Sequence, residues 1–431
     1  MAEKNRKSKP DSKTRVEKAP AKKAPAEKAP AEKTPAKKAP AKPQKHPLSA
    51  KLPRISVSSN IVMLAVKGTV VMAAMFSLLM LVFVRADLRP TAIMQGAKNK
   101  YAFSHASGVG FPVEIPSGKI IEVSEVTKGT AVLTSTRCTV YDAKGREVST
   151  ANHMLPSPAM KSAGGYILLY GSLGKDYMLR TLSAVSCKGE MTDSIVCADV
   201  SESGEFAFVT TSETNNARLV VCSPEGKVIH KWKSVNYKIA DVALSPSGKY
   251  VALCGYSTQN GVLVSTVIVQ QVGGRENLKE MAVEGTLIVD IQFNGNASVV
   301  AVGDELVTFL SVKNDQKFIY GYNDKVLNCY DISEDGELAL VFSDHSDGRN
   351  ASVVVIDDKC REKARIETAM TAPKVDLADG RIHLLYQSEV SCYDIKGNLL
   401  SHSDVEADCQ TIFTSSGKLL ARGIMYLNEI G

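Results

Sequence analysis

The chain is punctuated by short apolar runs that come in pairs around a polar turn. In "IADVALSPSGKYVALCGY" (239–256), Ile239, Asp241 and Ala243 fall on one face of an extended segment, and Ala240, Val242 and Leu244 on the other. Five of these six residues are apolar, which predicts a strand buried on both faces. Pro246 suits the second position of a type I turn, and Gly248 supplies the left-handed residue that closes a tight hairpin. Nearly the same phrase returns as "DVSESGEFAFV" from Asp199, "DISEDGELALV" from Asp331, "DLADGRIHLL" from Asp376 and "FTSSGKLLA" from Phe413.

The turn glycines Gly129, Gly164, Gly204, Gly248, Gly295, Gly336, Gly380 and Gly417 are spaced by 35, 40, 44, 47, 41, 44 and 37 residues. A second phrase lies between the copies of the first: "VYDAKGREV" (140–148), "VCSPEGKVI" (221–229) and "CYDIKGNLL" (392–400). "VIDDKCREKARI" (355–366) repeats it with Cys360 in the glycine slot. Two hairpins per period give four short strands. A period in the low forties filled only with strands is the mark of a propeller blade. The expected fold is therefore all-β, a β-propeller of four-stranded antiparallel blades, with eight blades and seven as the alternative. Only 14 residues follow Gly417, too few for a whole blade. The missing outer strand of the last blade is expected from "KYAFS" (100–104) or "FPVEI" (111–115), a closure that protects both open sheet edges.

Ahead of the repeats the pattern changes twice. Residues 61–84 hold one charge, Lys67, in 24 residues, long enough to cross a bilayer as a helix. The lead before it is long for a signal peptide, and "VFVRADLRP" offers no small-residue cleavage site. Residues 1–60 carry 14 Lys and 3 Arg against 4 Glu and 1 Asp, a net of +12, so a whole chain of +6 leaves −6 for residues 61–431. Within that lead, "EKAPAKKAPAEKAPAEKTPAKKAPAKPQK" (17–45) has too much Pro for a helix and nothing large and apolar to bury. The expected organisation is a disordered cytoplasmic tail (1–60), a transmembrane helix (61–84), a linker (85–99) and a propeller (100–431). The positive-inside rule puts the tail in the cytoplasm and the propeller outside. A basic tail beside a membrane is expected to meet anionic lipid, with nucleic acid as the weaker reading.

A Lys/Ala/Pro lead, one membrane helix and divergent blades together resemble an uncharacterised family of single-pass, membrane-anchored propeller proteins of Gram-positive bacteria. The blades are also similar to WD-repeat and quinoprotein propellers, although "VYD" and "CYD" stand where a Trp-Asp pair would. The stretch "GKVIHKW" (226–232) places Trp232 two residues late for a quinone-docking phrase.

Catalytic, cofactor-binding and metal-ligating residues are not assigned, and no cofactor is expected. The seven histidines have no metal-ligand spacing, and there is no Cys-x-x-Cys. "SDHSDG" (343–348) and "DISEDG" (331–336) lack the alternating oxygen ligands of a calcium loop. Nine cysteines are expected mostly as small buried apolar residues: Cys138, Cys222 and Cys392 on third strands, Cys197, Cys329 and Cys409 on first strands. Cys187 and Cys197 are the one disulfide candidate. The functional expectation is a non-enzymatic binding or scaffolding module at the cell surface, recognising a protein or cell-envelope polymer. Its binding face would carry the loops 211–218, 255–263 and 343–351. The alternative is an extracytoplasmic hydrolase or lyase acting on glycans, with carboxylates in the propeller channel.

Overall fold

The computed structural model describes residues 63, 66–77, 90–115, 118–345 and 347–431. Residues 66–77 are helical, and Met63, Val66, Val70, Val71, Met72, Met75 and Phe76 all leave more than half of their surface exposed. Among the described residues no helix is long and apolar enough to cross a membrane. The rest of the expected span 61–84 lies outside the described residues, as does the tail at 1–60.

The repeats form eight four-stranded antiparallel sheets. Blade 1 runs from Ile120–Val126 to Glu147–Asn152, blade 2 from Pro158–Ala163 to Val185–Glu190, and blade 3 from Ile195–Val200 to Val228–Ser234. Blade 4 runs from Lys238–Leu244 to Asn277–Glu284, blade 5 from Ile288–Asn294 to Lys317–Gly321, and blade 6 from Val326–Ile332 to Glu362–Met370. Blade 7 runs from Lys374–Ala378 to Leu399–Asp404. Blade 8 takes Thr411–Ser415, Lys418–Arg422 and Tyr426–Glu429 from the end of the chain and its outermost strand, Val113–Glu114, from the start. The closure is tied by Ile115 N–H to Met425 O and Ile120 N–H to Ile424 O, both 2.8 Å, and by the Arg422 guanidinium on Ile120 O at 2.6 Å.

Apolar second strands fill the spaces between blades. Ala207, Val209, Leu219 and Val221 of blade 3 pack on Val242, Leu244, Val251 and Leu253 of blade 4, and similar clusters fill the neighbouring gaps. A buried cation stitches blade 2 to blade 1. Arg180, 1% exposed, donates to Cys138 O and to Ser149 Oγ at 2.5 Å.

Turn chemistry explains both recurring phrases. Gly164, Gly204, Gly248, Gly295, Gly336, Gly380 and Gly417 all turn between first and second strands with positive φ, as expected. In the outer turns the Asp of the phrase caps the loop. The Asp142 carboxylate accepts Lys144 N–H and Arg146 N–H at 2.9 Å, and Asp357 and Asp394 repeat this with Lys359 and Arg361, and with Lys396 and Asn398. Burial opposes the charge of Asp357, but the Arg361 guanidinium and these N–H donors hold its carboxyl down to about 2. Cys360 takes the glycine slot with φ 58.

Five expectations need correction. Residues 100–104 are not a strand; they end the helix Pro90–Ser104, which begins with Pro at its first turn, where the missing N–H costs nothing. Its Phe103 packs, with Val148 and Ala151, on the buried cluster of blades 1 and 2 that includes Leu155. At the first hairpin the left-handed residue is Lys128 (φ 66), while Gly129 starts the next strand, where a Cβ would sit 2.0 Å from Tyr141 O and only glycine fits. Residues 255–263 are no loop: Tyr250–Gln259 and Val262–Gln271 join through a two-residue Asn260-Gly261 turn. Cys409 precedes the first strand of blade 8, and Cys187 and Cys197 are both free thiols.

Gly204 and Gly417 share a left-handed φ, at 88 and 74, but a Cβ on Gly204 would meet the Tyr166 ring at 2.6 Å, whereas Gly417 has open space. Gly417→Ala is expected to cost about 1 kcal/mol from backbone strain alone. Gly204→Ala should cost clearly more, and urea denaturation of the two variants checks the order.

Candidate functional site

First strands line the central channel. In blades 1, 3, 4, 5 and 6 the pairing of first and second strands slips at one place, between Ile120/Glu122, Ile195/Cys197, Ile239/Asp241, Ile288/Asp290 and Leu327/Cys329. Such bulges bend the strand and re-aim the side chains that follow.

Carboxylates at or just after these positions, and Asp376 in the regular first strand of blade 7, reach across to the next blade. Glu122 accepts Met160 N–H at 2.9 Å, Asp199 accepts Leu244 N–H at 2.7 Å and Asp241 accepts Ile291 N–H at 3.3 Å. Asp331 accepts Leu377 N–H at 2.7 Å, and Asp376 accepts Thr414 N–H and its hydroxyl, each at 2.7 Å, while also meeting His383 Nδ1 at 3.0 Å. Asp290 accepts the Tyr330 hydroxyl of blade 6 at 2.8 Å. Each link replaces a ladder hydrogen bond that separate sheets cannot make.

These side chains touch the channel on one side and protein on the others. Burial pushes the Asp199 carboxyl up to about 6, against the pull of Lys161 and Leu244 N–H. Burial, with the charge of Asp290 adding to it and Lys161 opposing, takes Asp241 up to about 7. Asp331 also rises to about 7, by burial and then by the neighbouring Asp376. Burial works against the charge of Lys161, but Asp199, Asp241 and Asp290 outweigh it and raise its pKa. The thiol of Cys254 is pushed up to about 12 by burial, so it is no nucleophile at neutral pH. Among the described residues no three His, Cys, Asp or Glu side chains are grouped to hold a metal ion.

Antiparallel alternation gives the ring two unlike rims. One carries every turn between first and second and between third and fourth strands. Glu125, Glu202, Glu334, Asp335 and Asp379 stand exposed there, and a cavity of about 980 Å³ opens between blades 6, 7, 8 and 1. The other rim carries the second-to-third loops and the crossings between blades, including residues 211–216, the Asn260-Gly261 turn and residues 344, 345, 347 and 348. Large apolar side chains are exposed around it: Met154 at 99%, Val235 at 72%, Leu173 at 71%, Val289 at 51% and Met425 at 45%. A cavity of about 770 Å³ between blades 5 and 6 opens beside Val289 and Val326. Sequence reasoning quoted the channel aspartates only as the first letter of a phrase and missed Lys161. The missed signal was an acidic residue recurring in an otherwise apolar strand buried on both faces.

The fold and its channel define an eight-bladed β-propeller closed by an N-terminal strand. The chain belongs to a family of unknown function, DUF5711, whose model matches residues 114–426. A comparison with curated proteins finds no match. Among solved structures, the chain is similar to BamB from Moraxella catarrhalis, at 10% identity over 73% of this chain and 99% of that one, with a TM-score of 0.46. It is also similar to Kluyveromyces lactis Hsv2 (10% identity, 67% and 100% covered, TM-score 0.43) and to the Pan2 WD40 domain of Neurospora crassa (15%, 51% and 71%, 0.39). At these values no functional statement passes from those proteins to this chain.

If the channel carboxylates are joints between blades, Asp199→Ala leaves Leu244 N–H unpaired and should lower stability by roughly 1–3 kcal/mol. Denaturant unfolding at pH 7.5 reads this directly.

Proposed function

We propose that the chain is a membrane-anchored binding module, non-enzymatic, whose propeller stands outside the membrane and holds a protein or cell-envelope partner on its loop rim. The observation that carries the reading is the contrast between the two rims. The turn rim is built from capped tight turns that expose charges of both signs, Glu202, Glu334 and Asp335 beside Lys128, Lys144 and Lys227, whereas the loop rim exposes the large apolar side chains of Met154, Leu173, Val235, Val289 and Met425. Apolar side chains ringed by polar loops are what a protein-binding surface needs at its centre. The channel supports the same reading. Asp199, Asp241, Asp331 and Asp376 each give a carboxylate oxygen to an N–H of the next blade, an arrangement suited to holding the ring closed rather than to acid–base work on a glycan.

Anchoring is supported by the apolar span 61–84, by the exposed apolar side chains of helix 66–77, and by the basic lead that the positive-inside rule assigns to the cytoplasm. The tail would then lie against anionic lipid on the inner surface.

The test is photo-crosslinking of the full-length protein in cells, comparing Met154→Ser/Leu173→Ser/Met425→Ser with a turn-rim variant, Glu334→Ser/Asp335→Ser/Asp379→Ser. A specific complex is expected to fall roughly tenfold or more in the first and to persist in the second, with both proteins equally stable. A complex lost only in the turn-rim variant moves the binding face to the opposite rim. Protease added outside wall-less cells should remove the propeller and spare residues 1–60; a protected propeller overturns the topology.

A further inference from the structure

We propose that the channel wall is a proton-operated joint: the carboxylates of Asp199, Asp241 and Asp331 take up protons in a mildly acidic medium, and the seams they bridge then resist opening more strongly. Each carboxylate lies on an inner strand and bonds a backbone N–H of the following blade, Leu244, Ile291 and Leu377 respectively, so it is desolvated only while its seam is closed. When a seam opens, the carboxylate returns to water and to its ordinary acidity. The closed and open states of each seam therefore bind protons differently.

The groups around each carboxylate decide the sign. Asp241 faces Lys161 and Tyr170 from blade 2, Cys197 from blade 3, Cys254 of its own blade, Asp290 from blade 5 and Tyr330 from blade 6. Asp199 shares Lys161 and Asp290 with it and lies beside Cys197. One cation thus serves three carboxylates, Asp199, Asp241 and Asp290. Asp331 faces Asp376 from blade 7 and Cys329 of its own blade, with Lys374 beyond the thiol. Burial dominates at all three, outweighing Lys161 at Asp199 and Asp241 and the Leu377 N–H at Asp331, with like charge from Asp290 or Asp376 adding a smaller part; the folded-state values rise to about 6 for Asp199 and about 7 for Asp241 and Asp331, from 3.8.

A carboxyl raised on closing stabilises the closed seam fully below its ordinary value, and this contribution is lost as pH rises through the folded value. The window is therefore about pH 4 to 7, with closure favoured on the acid side by at most about tenfold per pH unit for each group, less where channel water screens it. Glu122, also raised by burial, acts in the same direction on the seam between blades 1 and 2. His153, lowered by burial, acts in the opposite direction, but it follows the outer strand of blade 1, away from the three seams in question. Asp142, Asp357 and Asp394 are lowered and contribute only at more acid pH. The ring would present its rims most rigidly in a mildly acidic medium.

Hydrogen exchange by mass spectrometry on the full chain in detergent, corrected for the intrinsic pH dependence of exchange, tests this. Between pH 8 and pH 5 the opening constants at Leu244, Ile291 and Leu377 should fall about tenfold or more, while that of Gly226 in an outer turn stays constant. Asp331→Asn keeps an oxygen acceptor for Leu377 and should flatten the profile at Leu377 alone, leaving Leu244 and Ile291 responsive. Opening constants in the wild type that are flat or that rise on acidification overturn the proposal, whether or not the variant folds. A response at Leu377 that survives Asp331→Asn also overturns it.

Discussion

Separate four-stranded sheets arranged around an axis share no backbone ladder, and their inner strands carry N–H groups that no strand of their own blade satisfies. The structure meets this constraint with carboxylates. Glu122, Asp199, Asp241, Asp331 and Asp376 each reach from one inner strand to a backbone N–H on the next, over sequence separations of 38 to 50 residues. An unpaired buried N–H costs about as much as a lost hydrogen bond, so these links set the register between blades as well as their cohesion. The apolar second strands add the larger, non-directional part of the cohesion. Between blades 8 and 1 the carboxylate of Glu125 accepts Ser416 N–H in the same way, and Ile120 N–H on Ile424 O and the Arg422 guanidinium on Ile120 O add to the joint.

From this joint follows the division of labour between the rims. Tight turns on one side are held by their own Asp caps and glycines, with little freedom to vary in length. The other side mixes such turns, as at Asn260-Gly261, with longer crossings between blades, and there large apolar side chains come to the surface. Recognition placed on variable loops over a rigid ring is the arrangement that leaves the joint untouched while the binding surface changes.

Much of the architecture was legible because it rests on local chemistry. The spacing of Gly204, Gly248, Gly336 and Gly417 follows from turns that need φ > 0, and Cys360 fell in the correct slot because its neighbours Asp357 and Arg361 repeat the cap of Asp142 and Arg146. Residues 111–115 were readable as a closing strand from the shortage of chain after Gly417. The helix Pro90–Ser104 was not, since Lys98, Asn99 and Lys100 interrupt any apolar stripe, and only Pro90 signalled a start. The hairpin at 255–263 looked like a loop because polar Ser257, Thr258 and Gln259 continue a strand beyond the core, where pairing rather than burial sustains it. The channel network left only half a trace: Asp199, Asp241, Asp331 and Asp376 recur in otherwise apolar strands, but their partners are main-chain N–H groups in the next repeat, which no side-chain pattern marks.

A double-mutant cycle on Asp376→Ala and Thr414→Val, read by denaturant unfolding, bears most directly on the claim that channel carboxylates hold the blades together. The two side chains belong to blades 7 and 8 and meet at 2.7 Å. The account predicts a coupling of about 0.5–3 kcal/mol between them. Additive effects would contradict it, since the carboxylate would then gain nothing from the hydroxyl it meets on the neighbouring blade.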